Sequence, residues 1–290
     1  MQIETIEIIC EDGVRLSGEL LIPPSPKAVV QFNAGTAAKR GVYRAFAQYL
    51  VEHGYLCCLY DYRGFGRSKK GTLKGSEIRY VDIGTKDLPA VKSWLQARYP
   101  DLPLLMVAHS AGGQQIGFMP DVEGIAGVVT FGVSAAHLRA MPTHYRAQSL
   151  LFFYGITPVS NALLGYVAAA RLGLMEDLPK RLATEWRDWC SVPDYFFDPK
   201  FYGVTVPKGH FQDFTFPWHN VHASDDAIST PTNIRNFWKH IQSTAPITFD
   251  VLHPAEVGLH RIDHFGYFKR ALKERLWADV VRCLDEMAGA

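Results

Sequence analysis

The chain has 290 residues and a formal net charge of +1, and 48% of its residues are hydrophobic. This charge balance argues against a nucleic-acid surface or a strongly charged partner, and the hydrophobic content is that of a folded protein with a large core. The five cysteines form no Cys-x-x-Cys pair. Their odd number favours free thiols and a cytoplasmic location over a disulfide framework.

One apolar stretch is long enough to cross a membrane. Residues 150–170 carry no charged side chain, and about 20 apolar residues suffice for a span. However, Gly155, Pro158 and Asn161 interrupt the stretch. The pattern therefore favours short apolar helices over a stable membrane insertion. The N-terminal residues alternate like a strand and lack the pattern of a signal peptide.

Most of the chain alternates between strand-like and helix-like patterns. The strand-like runs are short and mostly apolar, and they lie at residues 3–9, 14–22, 28–32, 55–60, 104–108, 127–131, 216–222 and 247–252. The helix-like runs lie at residues 42–53, 80–99, from 111 onward, 234–241 and 268–287. This alternation predicts an α/β fold, with a mostly parallel central sheet and helices on both faces.

The segment of residues 135–212 breaks the alternation. It is rich in aromatic residues, and prolines and glycines divide it into short pieces. We interpret it as a mostly helical cap, or lid, over the carboxyl ends of the strands, where active sites of such sheets lie. The predicted core then consists of residues 1–134 and 213–290.

A serine follows the strand at 104–108. Residues 108–112 read Ala-His-Ser-Ala-Gly. A nucleophile elbow is a strand, a sharp turn with a serine, and a helix, with small residues two positions to either side of the serine. Ala108 stands where glycine is usual, and Gly112 fits. Ser110 is therefore the candidate nucleophile.

A serine needs a base, and the base needs a carboxylate that orients it, in the chain order Ser, Asp, His. After the strand at 216–222 come Asp225 and Asp226, and the layout favours Asp226, with Asp225 as the fallback. His264 lies between the last strand and the last helix, where the base is expected. His260, four residues earlier, is its main competitor.

The developing oxyanion needs two backbone amides. One belongs to Ala111, the residue after the nucleophile, and the second to the loop after the third strand. In that loop, Asn33-Ala34-Gly35 occupies the place where His-Gly-x is frequent, which makes Gly35 the expected donor and Ala34 the alternative. No metal or cofactor is expected. His219 and His222 are an odd number of positions apart in one strand, so their side chains point to opposite faces and cannot bind one metal ion together.

Residues 61–68 read Asp-Tyr-Arg-Gly-Phe-Gly-Arg-Ser. The loop lacks the Gly-Lys-Ser/Thr spacing of a phosphate-binding loop, and we predict a structural role in which an arginine and an aspartate fix a tight turn. This Asp-x-Arg-Gly-x-Gly-x-Ser sequence resembles the serine aminopeptidase-like and monoglyceride-lipase-like hydrolases of the α/β-hydrolase superfamily. The resemblance covers nearly the whole chain and is weakest over 135–212. The departures are Ala108 for glycine and Asn33 for histidine.

The resemblance implies a serine hydrolase that acts on an ester, a thioester or an amide. The aromatic cap, with its uncharged stretch at 150–170, favours a small-molecule carboxylic ester with an apolar or aromatic part, cleaved through an acyl-enzyme. A peptidase or amidase would need an acidic subsite, and Glu176, Asp177, Glu185 and Asp188 have the pattern of solvated helix faces. A C–C bond hydrolase on the same triad and a non-catalytic ligand receptor are further candidate functions. The oligomeric state is left open, and a homodimer is one candidate.

Overall fold

The computed structural model describes residues 1–289. Its ten strands are β1 (Gln2–Ile9), β2 (Arg15–Ile22), β3 (Ala28–Asn33), β4 (Tyr55–Tyr60), β5 (Leu104–His109), β6 (Ile125–Phe131), β7 (Tyr166–Val167), β8 (Leu178–Pro179), β9 (Trp218–Ala223) and β10 (Ile247–Leu252). Eight of them form one sheet in the order β1-β2-β4-β3-β5-β6-β9-β10. The sheet is parallel from β4 to β10, and only β1 and β2 are antiparallel to their neighbours.

The α-helices are α1 (Arg44–Glu52), α2 (Leu88–Arg98), α3 (Ala111–Gln114), α4 (Thr143–Leu150), α5 (Thr157–Leu164), α6 (Lys180–Cys190), α7 (Pro231–Trp238) and α8 (Ala278–Ala288). Short π-helical turns lie at Ile83–Asp87, Leu151–Ile156 and Lys273–Trp277. Single 3₁₀ turns lie at Arg40–Tyr43, Gly66–Ser68, Ile116–Phe118, Leu138–Ala140, Ala169–Leu172, Tyr195–Phe197, Pro254–Val257, Gly266–Phe268 and Arg270–Leu272.

The α/β prediction is confirmed, and the strands lie within two residues of their predicted bounds. Every residue of β3, β4, β5 and β9 is buried, because helices cover both faces of the sheet. The free energy gained by burying the apolar residues of these strands is the main favourable term in forming the sheet. The edge strand β10 is largely exposed.

Two predicted helices begin later than their apolar periodicity suggests. The run at 80–99 is helical only from Ile83, and a π turn precedes α2. Pro89 lies in the first turn of α2, and Pro158 occupies the same place in α5 after another π turn. A proline has no N–H to donate to the preceding turn, so a regular α-helix cannot continue through it. The run at 268–287 is regular α-helix only from Ala278.

Residues 135–212, all of which the structure describes, contribute no strand to the eight-stranded sheet. They contain α4, α5 and α6 together with the two-stranded pair β7–β8. The apolar stretch at 150–170 forms a π turn and α5, both short. Among residues 1–289, no helix is both long and apolar enough to cross a membrane.

Candidate catalytic site

The turn between β5 and α3 has the backbone of an elbow. Ser110 has φ 49° and ψ −117°, a conformation in which a residue with a side chain is strained. A Cβ atom on Gly112 would overlap the carbonyl oxygen of Asn33, so this position must be glycine. Ala108, by contrast, pairs within the sheet with Asn33 and Thr130 and is fully buried. Its methyl group is therefore accommodated where glycine was expected.

His264 and Asp226 form a buried pair. Nδ1 of His264 donates to Oδ2 of Asp226 at 2.7 Å, which leaves Nε2 as the ring nitrogen that can accept a proton. Oδ1 of Asp226 accepts from the amides of Ile228 at 2.8 Å and Ser229 at 3.0 Å. Burial by itself would raise the pKa of Asp226, but His264 and these amides outweigh burial and hold the pKa at about 2. Asp226 is thus ionised at neutral pH.

Ser110 and His264 line the same cavity. Within residues 1–289 no hydrogen bond joins the Ser110 hydroxyl to the imidazole, and such bonds are often long in a free enzyme. Gly132 lies against the pair, with φ +60°, and a Cβ atom there would be 3.2 Å from both Asp226 Oδ2 and His264 Nδ1. The site therefore depends on glycine at position 132, which the sequence did not single out.

The side chains of the two competing residues lie elsewhere. Asp225 accepts hydrogen bonds from the amides of Ile262 at 2.9 Å and Asp263 at 3.2 Å. It therefore fixes the loop that carries His264, rather than the imidazole itself. His260 is exposed, and in the described part of the chain it has no hydrogen bond to Asp226. This arrangement favours Asp226 over Asp225 and His264 over His260.

His109 connects three loops of the site. Its Nε2–H donates to the carbonyl oxygen of His264 at 2.7 Å, so its Nδ1 accepts from the Tyr43 hydroxyl at 2.9 Å. The Tyr43 hydroxyl in turn accepts from the amide of Gly35 at 2.7 Å. Burial lowers the pKa of His109 to about 3, with a further contribution from the neighbouring His264. A neutral imidazole is the form that this series of bonds requires.

The same bonds bear on the predicted oxyanion donors. The amide of Gly35 already donates to Tyr43, and neither Gly35 nor Ala34 lines the cavity. The next residue, Thr36, does line it. The amides of Thr36 and Ala111 have no acceptor among the described residues. The sequence could not indicate that the amide of Gly35 is occupied, because nothing in its pattern marks the hydroxyl of Tyr43 as its partner.

The cavity beside Ser110 has a volume of about 650 Å³. Its wall is mostly apolar and comes largely from the 135–212 segment, including Met141, Phe152, Phe153, Ile156, Met175 and Trp186. Lys39 and Glu176 are the only lysine, arginine, aspartate or glutamate side chains among the lining residues, counted over residues 1–289. A largely apolar molecule of moderate size fits such a wall.

Comparison with known proteins bears out the resemblance. Residues 24–144, which include β3 to β6 and the elbow, match the family model described as serine aminopeptidase, S33. No curated protein matches the chain. A soluble variant of monoglyceride lipase from Saccharomyces cerevisiae, in complex with a substrate analogue, is 17% identical with a TM-score of 0.66, covering 98% of this chain and 96% of that one.

Two esterases give similar agreement. An esterase from Pyrococcus furiosus is 18% identical with a TM-score of 0.64, covering 99% of this chain and 92% of that one. A carboxyl esterase from Bacillus coagulans is 17% identical with a TM-score of 0.60, covering 99% of both chains. At these identities the structures bear on the fold alone. The chain therefore has the α/β-hydrolase fold. The S33 match over residues 24–144 supports the prediction of an enzyme, a serine α/β hydrolase.

The glycine-bearing loop at 61–68 has the predicted structural role in this hydrolase. Asp61 accepts from Arg40 at 2.5 Å and from the amide of Arg67 at 3.1 Å. Arg63 is buried and donates to Asp87 at 2.5 Å. A Cβ atom on Gly66 would overlap the Asp61 carboxyl group, so the tight turn requires glycine. The aspartate and the arginine thus fix the loop, although each uses a partner from outside it.

The acidic side chains of the 135–212 segment do not form a solvated face in the hydrolase, and that prediction is wrong for Glu176, Asp177 and Glu185. Glu176 pairs with Lys39 at 2.8 Å and accepts from the amide of Gly66 at 3.1 Å. Glu185 pairs with Arg79 at 2.5 Å. Asp177 lies 3.7 Å from Lys69, whereas Asp188 is half-buried and pairs with its neighbour Arg187. Burial against basic residues of the core, which are distant in sequence, explains the error.

Proposed function

We propose that the protein hydrolyses a carboxylic ester through an acyl-enzyme on Ser110. The observation that carries the proposal is that Ser110, in an elbow backbone, shares one apolar cavity with the imidazole that Asp226 orients. The serine aminopeptidase match and the esterase and lipase neighbours are consistent with this chemistry.

In the first step, Oγ of Ser110 attacks the ester carbonyl carbon while Nε2 of His264 takes the hydroxyl proton. The tetrahedral intermediate collapses, the alcohol leaves with the proton from His264, and the acyl group remains on Ser110. Water then attacks the acyl carbon and gives its proton to His264. The carboxylic acid leaves as Ser110 recovers its proton. The ionised Asp226 stabilises the imidazolium that forms in both steps.

We assign the oxyanion hole to the amides of Ala111 and Thr36. Both amides lack an acceptor in the described chain, and Thr36 lines the cavity. Gly35, the donor expected from the sequence, would have to give up its 2.7 Å bond to Tyr43. One such donor contributes about 3–4 kcal/mol to stabilisation of the transition state.

Residues 135–212 act in this proposal as a cap over a core of residues 1–134 and 213–290. Their apolar side chains form most of the cavity wall, which suits an ester with an apolar or aromatic acyl or alcohol part. A chain of medium length or an aromatic ring would occupy a volume of about 650 Å³ without leaving a buried charge unpaired.

A peptidase or amidase is the second candidate, because the matching family is described as an aminopeptidase. Such an enzyme needs a carboxylate free to bind the amino terminus of a peptide. Among the cavity-lining residues in 1–289, Glu176 is the only carboxylate, and Lys39 and the amide of Gly66 already occupy it. This pairing favours hydrolysis of an ester over hydrolysis of a peptide. A C–C bond hydrolase would use the same triad, and it differs only in its substrate.

Two experiments test the proposal. The first is labelling with a fluorophosphonate, and the second is hydrolysis of p-nitrophenyl esters of increasing chain length. Wild-type protein should be labelled at Ser110 and should turn over esters faster than aminoacyl amides. Ser110→Ala and His264→Gln should lose activity, whereas His260→Gln should keep it. Full activity of Ser110→Ala would refute the triad, and absence of labelling in the wild type would favour a non-catalytic ligand receptor.

A further inference from the structure

The loop that would bind the oxyanion is held in an unusual conformation. Ala37, directly after Thr36, has φ +55°, a region that alanine rarely adopts. A residue persists in such a conformation only when its surroundings fix it. On one side of Thr36, the Tyr43 hydroxyl fixes Gly35. The side chain of Thr36 itself has a different partner.

That partner is Tyr80, which precedes α2 by eight residues. The hydroxyl groups of Thr36 and Tyr80 share a hydrogen bond, and both residues line the cavity beside Ser110. Burial raises the pKa of Tyr80 well beyond its ordinary value, so its hydroxyl stays protonated at neutral pH and can keep this bond. The Tyr80 hydroxyl thus holds Thr36, whose backbone amide binds the oxyanion in the proposed mechanism.

Tyr80 is itself held from the 135–212 segment. Its ring stacks on Trp189, with centroids 5.1 Å apart and an interplanar angle of 9°. Its backbone amide donates to Oε2 of Glu185 at 2.7 Å. Both partners lie on α6. The ring of Tyr80 can therefore act as a rigid support, because stacking fixes its plane and the amide bond fixes its backbone.

We propose that Tyr80 is a positioning residue, which holds the amide of Thr36 in place for the oxyanion through the Thr36 hydroxyl. The inference rests on the proposed function. Because the oxyanion exists only in the transition state and its intermediates, a displaced amide lowers kcat and leaves KM nearly unchanged. Small displacements of a group that stabilises charge are costly, so we expect a loss of about tenfold.

The experiment compares Thr36→Val, Tyr80→Phe and the double variant, with active enzyme counted by fluorophosphonate titration. Thr36→Val keeps the amide and the shape of the side chain, and Tyr80→Phe keeps the stacked ring. Each should lower kcat about tenfold with KM within about twofold of wild type. The double variant should be no slower than either single one, because both remove the same bond.

Thr36→Ser, which keeps the hydroxyl, should restore kcat to near the wild-type value. The matched control is Tyr62→Phe, because Tyr62 is buried outside the cavity and its hydroxyl has no partner within residues 1–289. It should leave kcat unchanged. If Tyr80→Phe does not fold, the Val and Ser variants of Thr36 decide the question.

Three outcomes would overturn the inference. The losses of kcat in the two single variants could multiply in the double variant, or the variants could change KM instead of kcat. Thr36→Ser could also be as slow as Thr36→Val. In each of these cases Ser110→Ala would still be inactive, and the proposed function would stand. An active Ser110→Ala enzyme would overturn both.

Discussion

The core and the 135–212 segment of this hydrolase are built in different ways. In the core, the inner strands are buried along their whole length, and the catalytic candidates follow their carboxyl ends. In the segment, some apolar side chains are buried, such as Trp189 and Phe196, whereas others line the cavity or are exposed, and Leu163 is 77% exposed. Ion pairs with core residues help to hold it in place. In the proposed function, the chemistry therefore depends on the ends of the sheet strands, whereas the choice of substrate depends on a segment that adds no strand to that sheet.

The largest effect is expected at the buried acid. Asp226→Asn should lower kcat by about ten-thousandfold, because an amide facing Nδ1 stabilises the wrong tautomer of His264. Asp225→Asn should lose far less, since Asp225 contacts only the backbone of the loop. Steady-state hydrolysis of a p-nitrophenyl ester measures both. The opposite order would assign the acid to Asp225.

Glycine substitutions should separate the two regions. Gly132→Ala should lower kcat by about tenfold to a hundredfold, because its Cβ would press on Asp226 and His264. Gly173→Ala, at φ +67° in the segment, has no atom of the described chain within 4 Å of its Cβ. It should cost about 1–2 kcal/mol of stability with kcat unchanged. Thermal unfolding and kinetics together test this, and equal kinetic losses would contradict it.

The free energy of unfolding should depend on pH because of His109, a buried residue of the core. His109 stays neutral in the folded protein down to about pH 3, whereas in the unfolded chain it binds a proton below its ordinary pKa of 6.5. The unfolded state then holds more protons, so the free energy of unfolding falls as pH drops from 6.5 toward 3. One proton changes it by about 1.4 kcal/mol per pH unit.

Urea unfolding of the wild type and of His109→Gln at pH 6.5 and pH 4.5 measures this contribution. The variant should lose less stability between the two pH values than the wild type. His222, whose pKa burial lowers to about 4, remains in both proteins and contributes in the same direction. Identical pH dependence in the two proteins would show that His109 does not carry the effect.

The smallest effect is expected at the ion pairs of the segment. Glu176→Gln removes the charge that pairs with Lys39 but keeps an acceptor for the amide of Gly66. It should speed proteolysis within 135–212 about twofold to fivefold at low salt, since such pairs contribute below about 1 kcal/mol. Salt should reduce the difference.

Arg181→Gln is the control, because Arg181 and its partner Glu77 are both exposed. Rates of limited proteolysis for the two variants, at low and high salt, test the comparison. If Arg181→Gln opened the segment as much as Glu176→Gln, the degree of burial of the ion pair would not decide its effect.

The fold was predictable because its signals are local, and local signals also indicate the candidate triad. Apolar runs mark the strands, and Ser110, Asp226 and His264 each follow a strand end in the expected order. The contacts that complete the site are not local. The Tyr43 hydroxyl bonds to His109, 66 positions along the chain, and Lys39 pairs with Glu176 across more than a hundred residues of sequence. The periodicity of the sequence does not indicate which polar side chains form a hydrogen bond or an ion pair with each other.

The bond between His109 and the carbonyl oxygen of His264 has a consequence for the order of assembly. Its two residues are 155 positions apart in the sequence. During synthesis, β5 and the serine turn leave the ribosome long before the loop that carries the base. A nascent chain can thus bury its first strands before His264 has been synthesised. If the proposed function holds, esterase activity would therefore report the final docking of the C-terminal part, and it would be a sensitive measure of whether folding has been completed.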